Sequence, residues 1–426
     1  MANFTAAVYQ NEFLPDGGTD VSAIVTVNCT GAGQAGRTGG GDAGEIIIVD
    51  TSGSMGVTNM EAAKTAARAA VEQITDGTWF SIVAGNHQAY LAYPPARAGV
   101  GMVRMDPTTR HQAVQAIQTF RADGGTAIGT WLTLARRLFA SVPSLGKKHA
   151  ILLTDGENHN ERPEDLDRAI TESTGQFQCD CRGVGIQWKV EEVRKIAQAL
   201  LGSVDIIPQA HQMAQVFSDL IQQSMGRGVA DAELRVWAPQ GAQVLFVRQV
   251  SPTVEDLTNR RTQVNPLTTA YPTGAWGDES RDYHVAIRLP AKGVGQEQLA
   301  ARLQLTLGGA VQAQGLIKAK WSSDTSLTAR INPEVAHYTG QAELATAIQE
   351  GLAAKASGDE QTATLKLGRA VKLAAETGNG EATTRLRKVV DITDEREGTV
   401  RLKRGVDKAD EMALDTASTK TTRIRP

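Results

Sequence analysis

Cysteine is scarce, with three residues in a chain of 426. So few thiols, in odd number, argue against a disulfide framework and fit a reducing compartment, so the expected location is cytoplasmic. No sign of charge dominates: 44 basic residues face 47 acidic ones, for a net charge of −3. That balance removes any global pull toward nucleic acid or an anionic membrane, and no nucleic-acid partner is expected. No apolar run is long enough to span a bilayer. Residues 1–7 lack a basic region followed by an apolar stretch, so no secretory leader is expected. There is no G-x-x-x-x-G-K-[ST], so any nucleotide hydrolysis would have to come from a partner. The seven histidines show no H-E-x-x-H spacing.

What is present centres on Asp50-Thr51-Ser52-Gly53-Ser54, set directly after the apolar run Glu45-Ile46-Ile47-Ile48-Val49. Such a run reads as a buried parallel strand, and open α/β sheets place ligands at the carboxyl ends of their strands. The loop offers one carboxylate and two hydroxyls at alternate positions. Hard oxygen donors without His or Cys suit Mg²⁺, Mn²⁺ or Ca²⁺. Two further loops follow. Asp123-Gly124-Gly125-Thr126 runs into the helical pattern Trp131, Leu132, Leu134, Ala135, Leu138, with Thr126 near the helix start. His149-Ala150-Ile151-Leu152-Leu153-Thr154-Asp155-Gly156 repeats the grammar of an apolar strand, an acid and a glycine. Ser52, Ser54 or Thr126 taken singly reads as a helix cap; the five polar residues on three ordered strand ends read as one site.

These three pieces resemble the metal-ion-dependent adhesion site (MIDAS) of von Willebrand factor type A domains, whose motif is D-x-S-x-S, then a Thr, then an Asp. All five positions are filled here. The resemblance implies that Ser52, Ser54 and Thr126 bind the metal directly, and that Asp50 and Asp155 bind it directly or through water. It implies a protein partner that presents Asp or Glu to the metal. The family's chelatase- and MoxR-associated members also allow an accessory subunit of an AAA+ ATPase. A binding module, not an enzyme, is the expectation. Two enzyme readings are more remote. One is a hydrolase using Ser52 or Ser54 as nucleophile with Asp155 and His159, although the loop is no G-x-S-x-G elbow and a metal competes for the same hydroxyls. The other is a metal-assisted hydrolase, which would want more carboxylates or a second metal.

The pattern divides the chain into four segments. Residues 1–41 hold two alternating strands (4–10 and 21–27) and a glycine-rich linker with a formal G-x-G-x-x-G, which no helix follows. Residues 42–228 alternate strand and helix, the expectation for a doubly wound, mostly parallel α/β sheet. Residues 229–331 carry period-2 strands at 232–237, 242–247, 282–289 and 303–307, read as an antiparallel β-sandwich that the N-terminal strands join. Residues 332–426 read as a helical bundle with stripes at Leu344/Ile348/Leu352, Leu365/Ala370/Leu373 and Leu386/Val389/Val390, ending in a frayed tail from Ala417. Cys179 and Cys181, alternate on a strand, read as packed thiols, and His159 as a solvated loop residue.

Overall fold

The computed structural model describes residues 2–32, 42–95 and 101–424. Residues 33–41, which carry most of the glycine-rich stretch, lie outside them. The chain forms two compact units, Ala32–Ala230 and a second made of Met1–Gly31 with Asp231–Pro426.

In the first unit, the strands run in the order Val204–Ile207, Gln178–Val184, Leu145–Thr154, Asp42–Asp50, Trp79–Gly85, Ala89–Tyr93. The first five are parallel neighbours and Ala89–Tyr93 is antiparallel. From Asp42–Asp50 the chain moves first to one side, then crosses back to Leu145–Thr154 on the other. Asp42–Asp50 is therefore the switch point of a doubly wound sheet, where two neighbouring strand ends diverge and leave a crevice. Its residues Ile46 to Val49 are all fully buried, because helices cover both faces.

Helices span Gly56–Gln73, Pro107–Gln118, Ile128–Ala140, Pro163–Ser173, Val190–Ala199 and Met213–Gly226. Gly56–Gln73 buries Ala63, Ala66, Ala67, Ala70 and Val71, small side chains that let it approach the core shared with Phe217, Leu220 and Ile221. Pro163–Ser173 has no counterpart in the sequence reading. It buries only Leu166, Ala169, Ile170 and Ser173, and its first turn is acidic, which favours a helix N-terminus.

The second unit holds two large, mainly antiparallel sheets besides a small C-terminal hairpin. One runs Asn3–Gln10, Asp20–Thr30, Ser280–Arg288, Gln243–Ser251, Glu255–Asp256; the other runs Thr262–Asn265, Thr268–Trp276, Val229–Trp237, Glu297–Leu307, Ala310–Trp321, Phe13–Leu14. Asp20–Thr30 pairs directly with Ser280–Arg288, for example Ile24 opposite His284. The sheets meet through Phe4 edge-on to Trp276 at 5.7 Å and Arg281 over the same indole at 4.2 Å. Thr268–Trp276 and Ala310–Trp321 were not expected as strands. The first contains Pro272 and Gly274, which ordinarily argue against a strand interior.

The C-terminal helices Pro333–Ala356, Glu360–Glu376, Gly380–Val389 and Lys408–Ala417 are opened by Asn332, Asp359, Asn379 and Asp407, whose side chains accept from the first-turn N–H groups. Three expectations need correction. The segment is not purely helical: Val390–Asp394 and Thr399–Leu402 form a hairpin that buries Val390 and Val400 in the helical core. Leu365 points to solvent, 71% exposed, and Leu367 takes the buried position, while Ala370 and Leu373 are buried as expected, because Leu367 and not Leu365 lies one helical turn before Ala370. The tail is not frayed through 424. Thr421 donates from its N–H to Pro252 O (3.0 Å), and Arg423 forms a two-pronged pair with buried Asp282 at 2.6 and 2.8 Å. Tyr338 of the first helix donates to the same carboxylate at 2.5 Å. The polarity that suggested fraying supplies this docking.

Candidate metal centre

The three loops meet at the switch point. Gly53 N–H donates to Gly124 O and Asp123 N–H to Thr51 O, both at 2.8 Å, so the 50–54 and 123–126 loops are stitched by backbone alone. Asp50 is fully buried at the end of its strand. Its Oδ1 accepts the Ser52 N–H (2.7 Å) and its Oδ2 accepts the Thr154 hydroxyl (2.6 Å). Ser52 Oγ lies 2.8 Å from Ser54 Oγ, and Ser54 Oγ donates to Asp155 Oδ1 at 2.6 Å. The other Asp155 oxygen accepts from Asn59 Nδ2 at 2.9 Å. Thr126 is buried, and a methyl added at Gly156 would stand 2.8 Å from Ser54 Oγ and 3.2 Å from Thr126 Oγ1. Both hydroxyls thus face the glycine beside Asp155. All five expected residues come together.

The electrostatics are uncompensated. Burial pushes Asp50 up to about 6, against hydrogen bonds from Ser52 and Thr154, and the Asp155 charge pushes the same way. Burial also raises Asp155, against bonds from Ser54 and Asn59. Among the described residues the hydrogen-bond partners of both carboxylates are neutral. An all-oxygen set with two carboxylates in need of positive charge fits a hard divalent cation. Among the described residues no three His, Cys, Asp or Glu side chains cluster as metal ligands, so hydroxyls must complete any such set.

Residues that the sequence reading missed support the site. Thr154 follows from register: Val49 pairs with Leu153, so Thr154 ends its strand beside Asp50. Asn59 carries no sequence signal beyond lying in the helix that follows the loop. Asn158 and Asn160, in the loop after Asp155, accept from Ile128 N–H and Thr126 N–H, both at 2.9 Å. His159 is exposed, with Nε2 3.5 Å from Glu157 Oε2. Cys179 and Cys181 are buried, with their sulfurs 3.8 Å apart.

At the opposite, amino edge of the same sheet lies a second buried cluster. His149 Nδ1 is 2.5 Å from Glu45 Oε1 and its Nε2 is 2.9 Å from Asp180 Oδ2. Ser224 donates to Glu45, and Ser203 donates to Asp180 from both N–H and hydroxyl. Burial would lower the His149 pKa, but the Glu45 charge and the bonds to Asp180 and Glu45 raise it to about 9.

A doubly wound sheet with an oxygen-rich loop cluster at its switch point defines a class of α/β ligand-binding domain. Family models narrow it: residues 45–206 match the von Willebrand factor type A domain and residues 372–418 the von Willebrand factor type A C-terminal domain. The chain is 47% identical to the solved structure of a von Willebrand factor type A protein from Catenulispora acidiphila, covering 99% of this chain and 97% of that one with a TM-score of 0.93. This chain belongs to the von Willebrand factor type A family. The ArnB paralog VWA2 from Sulfolobus acidocaldarius shares the fold, with 15% identity, 98% coverage of each chain and a TM-score of 0.60. An uncharacterized protein of Synechocystis is 29% identical over 216 residues, 50% of this chain and 49% of its own length. The match therefore spans about half of that curated relative.

Proposed function

We propose that this protein is a metal-dependent protein-binding module whose centre is built by Asp50, Ser52, Ser54, Thr126 and Asp155. The observation that carries the reading is a pair of buried carboxylates whose hydrogen-bond partners among the described residues are all neutral, ringed by hydroxyls at a sheet switch point. When bound, a hard divalent cation supplies an electrophilic centre open to a partner's Asp or Glu. Ser52, Ser54 and Thr126 contribute neutral oxygens, which leave such a cation electron-poor. Thr154 and Asn59 hold the outer oxygens of Asp50 and Asp155, orienting the inner ones. The all-oxygen donor set suits a hard divalent cation, Mg²⁺, Mn²⁺ or Ca²⁺.

Binding rather than catalysis is the preferred reading, because Ser52 and Ser54 are engaged with each other and with Asp155. The three buried free thiols support a reducing, cytoplasmic setting, and no helix among the described residues is long and apolar enough to cross a membrane. Pull-down with the full chain against Asp50→Ala, with Mg²⁺ and with EDTA, tests the proposal. Partner recovery that needs both Asp50 and Mg²⁺ supports it, and recovery of an AAA+ ATPase among those partners would assign the accessory role. Recovery indifferent to both overturns it.

A further inference from the structure

The 123–129 loop and the loop after Asp155 are joined by more than proximity. Asn160 grips Thr126 at two points: its Oδ1 accepts the Thr126 N–H and its own N–H donates to Thr126 O, both at 2.9 Å. Asn158 Oδ1 accepts the Ile128 N–H at 2.9 Å and Glu161 Oε1 the Gly129 N–H at 2.7 Å. The helix Ile128–Ala140 begins after Ala127, which offers no capping side chain, so its first N–H groups are satisfied from this other loop. The glycines make room for the grip. A Cβ at Gly125 would lie 1.7 Å from Asn160 Oδ1, and one at Gly129 would lie 2.5 Å from Glu161 Oε2. Burial raises Glu161, against the bonds from Gly129 and Asn158, as expected of a carboxylate drawn into a cap.

We infer that Asn160, aided by Asn158 and Glu161, is a positioning residue that locks the Thr126 loop to the Asp155 loop, so that ligands from two loops present one preformed cation site. The inference rests on the metal-binding reading above. A carbonyl oxygen two residues before the helix and an amide five residues after Asp155 are fixed to each other, so the backbone that carries Thr126 Oγ1 is tied to the Asp155 loop. In the family resemblance the ligands are Asp50, Ser52, Ser54, Thr126 and Asp155; Asn160 is not among them and acts only through Thr126. Removing a group that orients a ligand ordinarily lowers metal affinity by about 10- to 100-fold.

Titration calorimetry of the full chain with Mn²⁺ tests this, alongside thermal unfolding in EDTA. Asn160→Ala should weaken Mn²⁺ by about 10-fold or more, while Asn160→Asp, which keeps the accepting oxygen, should restore binding. Gly125→Ala, which displaces Asn160 sterically, should weaken Mn²⁺ too, and adding Asn160→Ala to it should cost nothing further, as coupled sites do. If wild type binds Mn²⁺ and Asn160→Ala binds equally well, the positioning role is wrong while the site stands. If wild type binds no Mn²⁺, the metal-binding reading itself fails. Equal loss in Asn160→Ala and Asn160→Asp, with EDTA stability lowered to match, would reduce Asn160 to a fold-maintaining residue and overturn the inference.

Discussion

The two ends of one parallel sheet handle buried charge in opposite ways. At the amino edge, Glu45 and Asp180 share His149 between them, and Ser224 and Ser203 complete their hydrogen bonds. Asp180 is held well below the usual carboxylate range by the His149 hydrogen bond and charge, with Arg227 and Arg182 adding to it, despite its burial. At the carboxyl edge, Asp50 and Asp155 have hydroxyl, amide and backbone N–H partners. Burial lifts both pKa values. A cluster that carries its own cation is complete as folded; two buried carboxylates met by neutral donors keep an unbalanced desolvation cost, which is the ground for the metal-binding proposal. The first reads as structure, the second as a binding site.

The largest expected effect comes from removing the internal cation. His149→Ala removes the imidazolium that buried Glu45 and Asp180 share and should cost roughly 3–5 kcal/mol in chemical denaturation; a loss under about 1 kcal/mol would mean the amino-edge triad is not the closed ion cluster described.

A pH scan sharpens the same contrast. The His149 pKa is raised from 6.5 to about 9, so its stabilisation is complete below pH 6.5 and lost as pH rises through about 9. The full loss amounts to roughly 3 kcal/mol, and thermal unfolding of wild type against His149→Gln should show that fall only in wild type. Parallel curves would break the assignment.

Next in size, Mg²⁺ at about 100 times its Kd should stabilise the metal-free protein by about 2.7 kcal/mol. Thermal shift should show this gain abolished in Asp50→Ala and reduced in Thr126→Ala; a full gain in both would move the site elsewhere. Smallest is the metal-free comparison. Asp50→Ala without metal should sit within about 1 kcal/mol of wild type, because the bonds lost are offset by no longer burying an uncompensated charge. A drop as large as that of His149→Ala would erase the distinction between the two edges.

Much of the carboxyl-edge site was legible because its parts are local. Each candidate ligand lies within a few residues of a strand end or glycine turn, and the buried runs Ile46–Val49 and Ala150–Leu153 mark those strands. The supporting residues were not, because Asn59, Thr154 and Asn160 act across loops or strands distant in sequence. The amino-edge triad was equally hidden, since Glu45, His149 and Asp180 look like unrelated single residues until the sheet sets them side by side. In the other unit, alternation marked Asp20–Thr30 and Ser280–Arg288. Pro272 masked one strand, and the alanine-rich composition after 333 concealed the Val390–Leu402 hairpin, whose burial comes from neighbouring helices.

The sequence by itself determined most strands and helices of the α/β unit, Pro163–Ser173 excepted, and the five polar residues, because hydrophobic periodicity and turn chemistry act over a handful of residues. Of the five, Asp50, Ser52, Ser54 and Asp155 lie at or just after strand ends, while Thr126 lies between the helices Pro107–Gln118 and Ile128–Ala140. Only the tertiary structure decided which carboxylates meet a cationic side chain and which, among the described residues, meet neutral donors. It also decided that the polar tail is docked through Arg423 on Asp282. Both outcomes depend on charges brought together from far apart in the chain, where Coulomb and desolvation energies are set by distance and burial rather than by sequence neighbours.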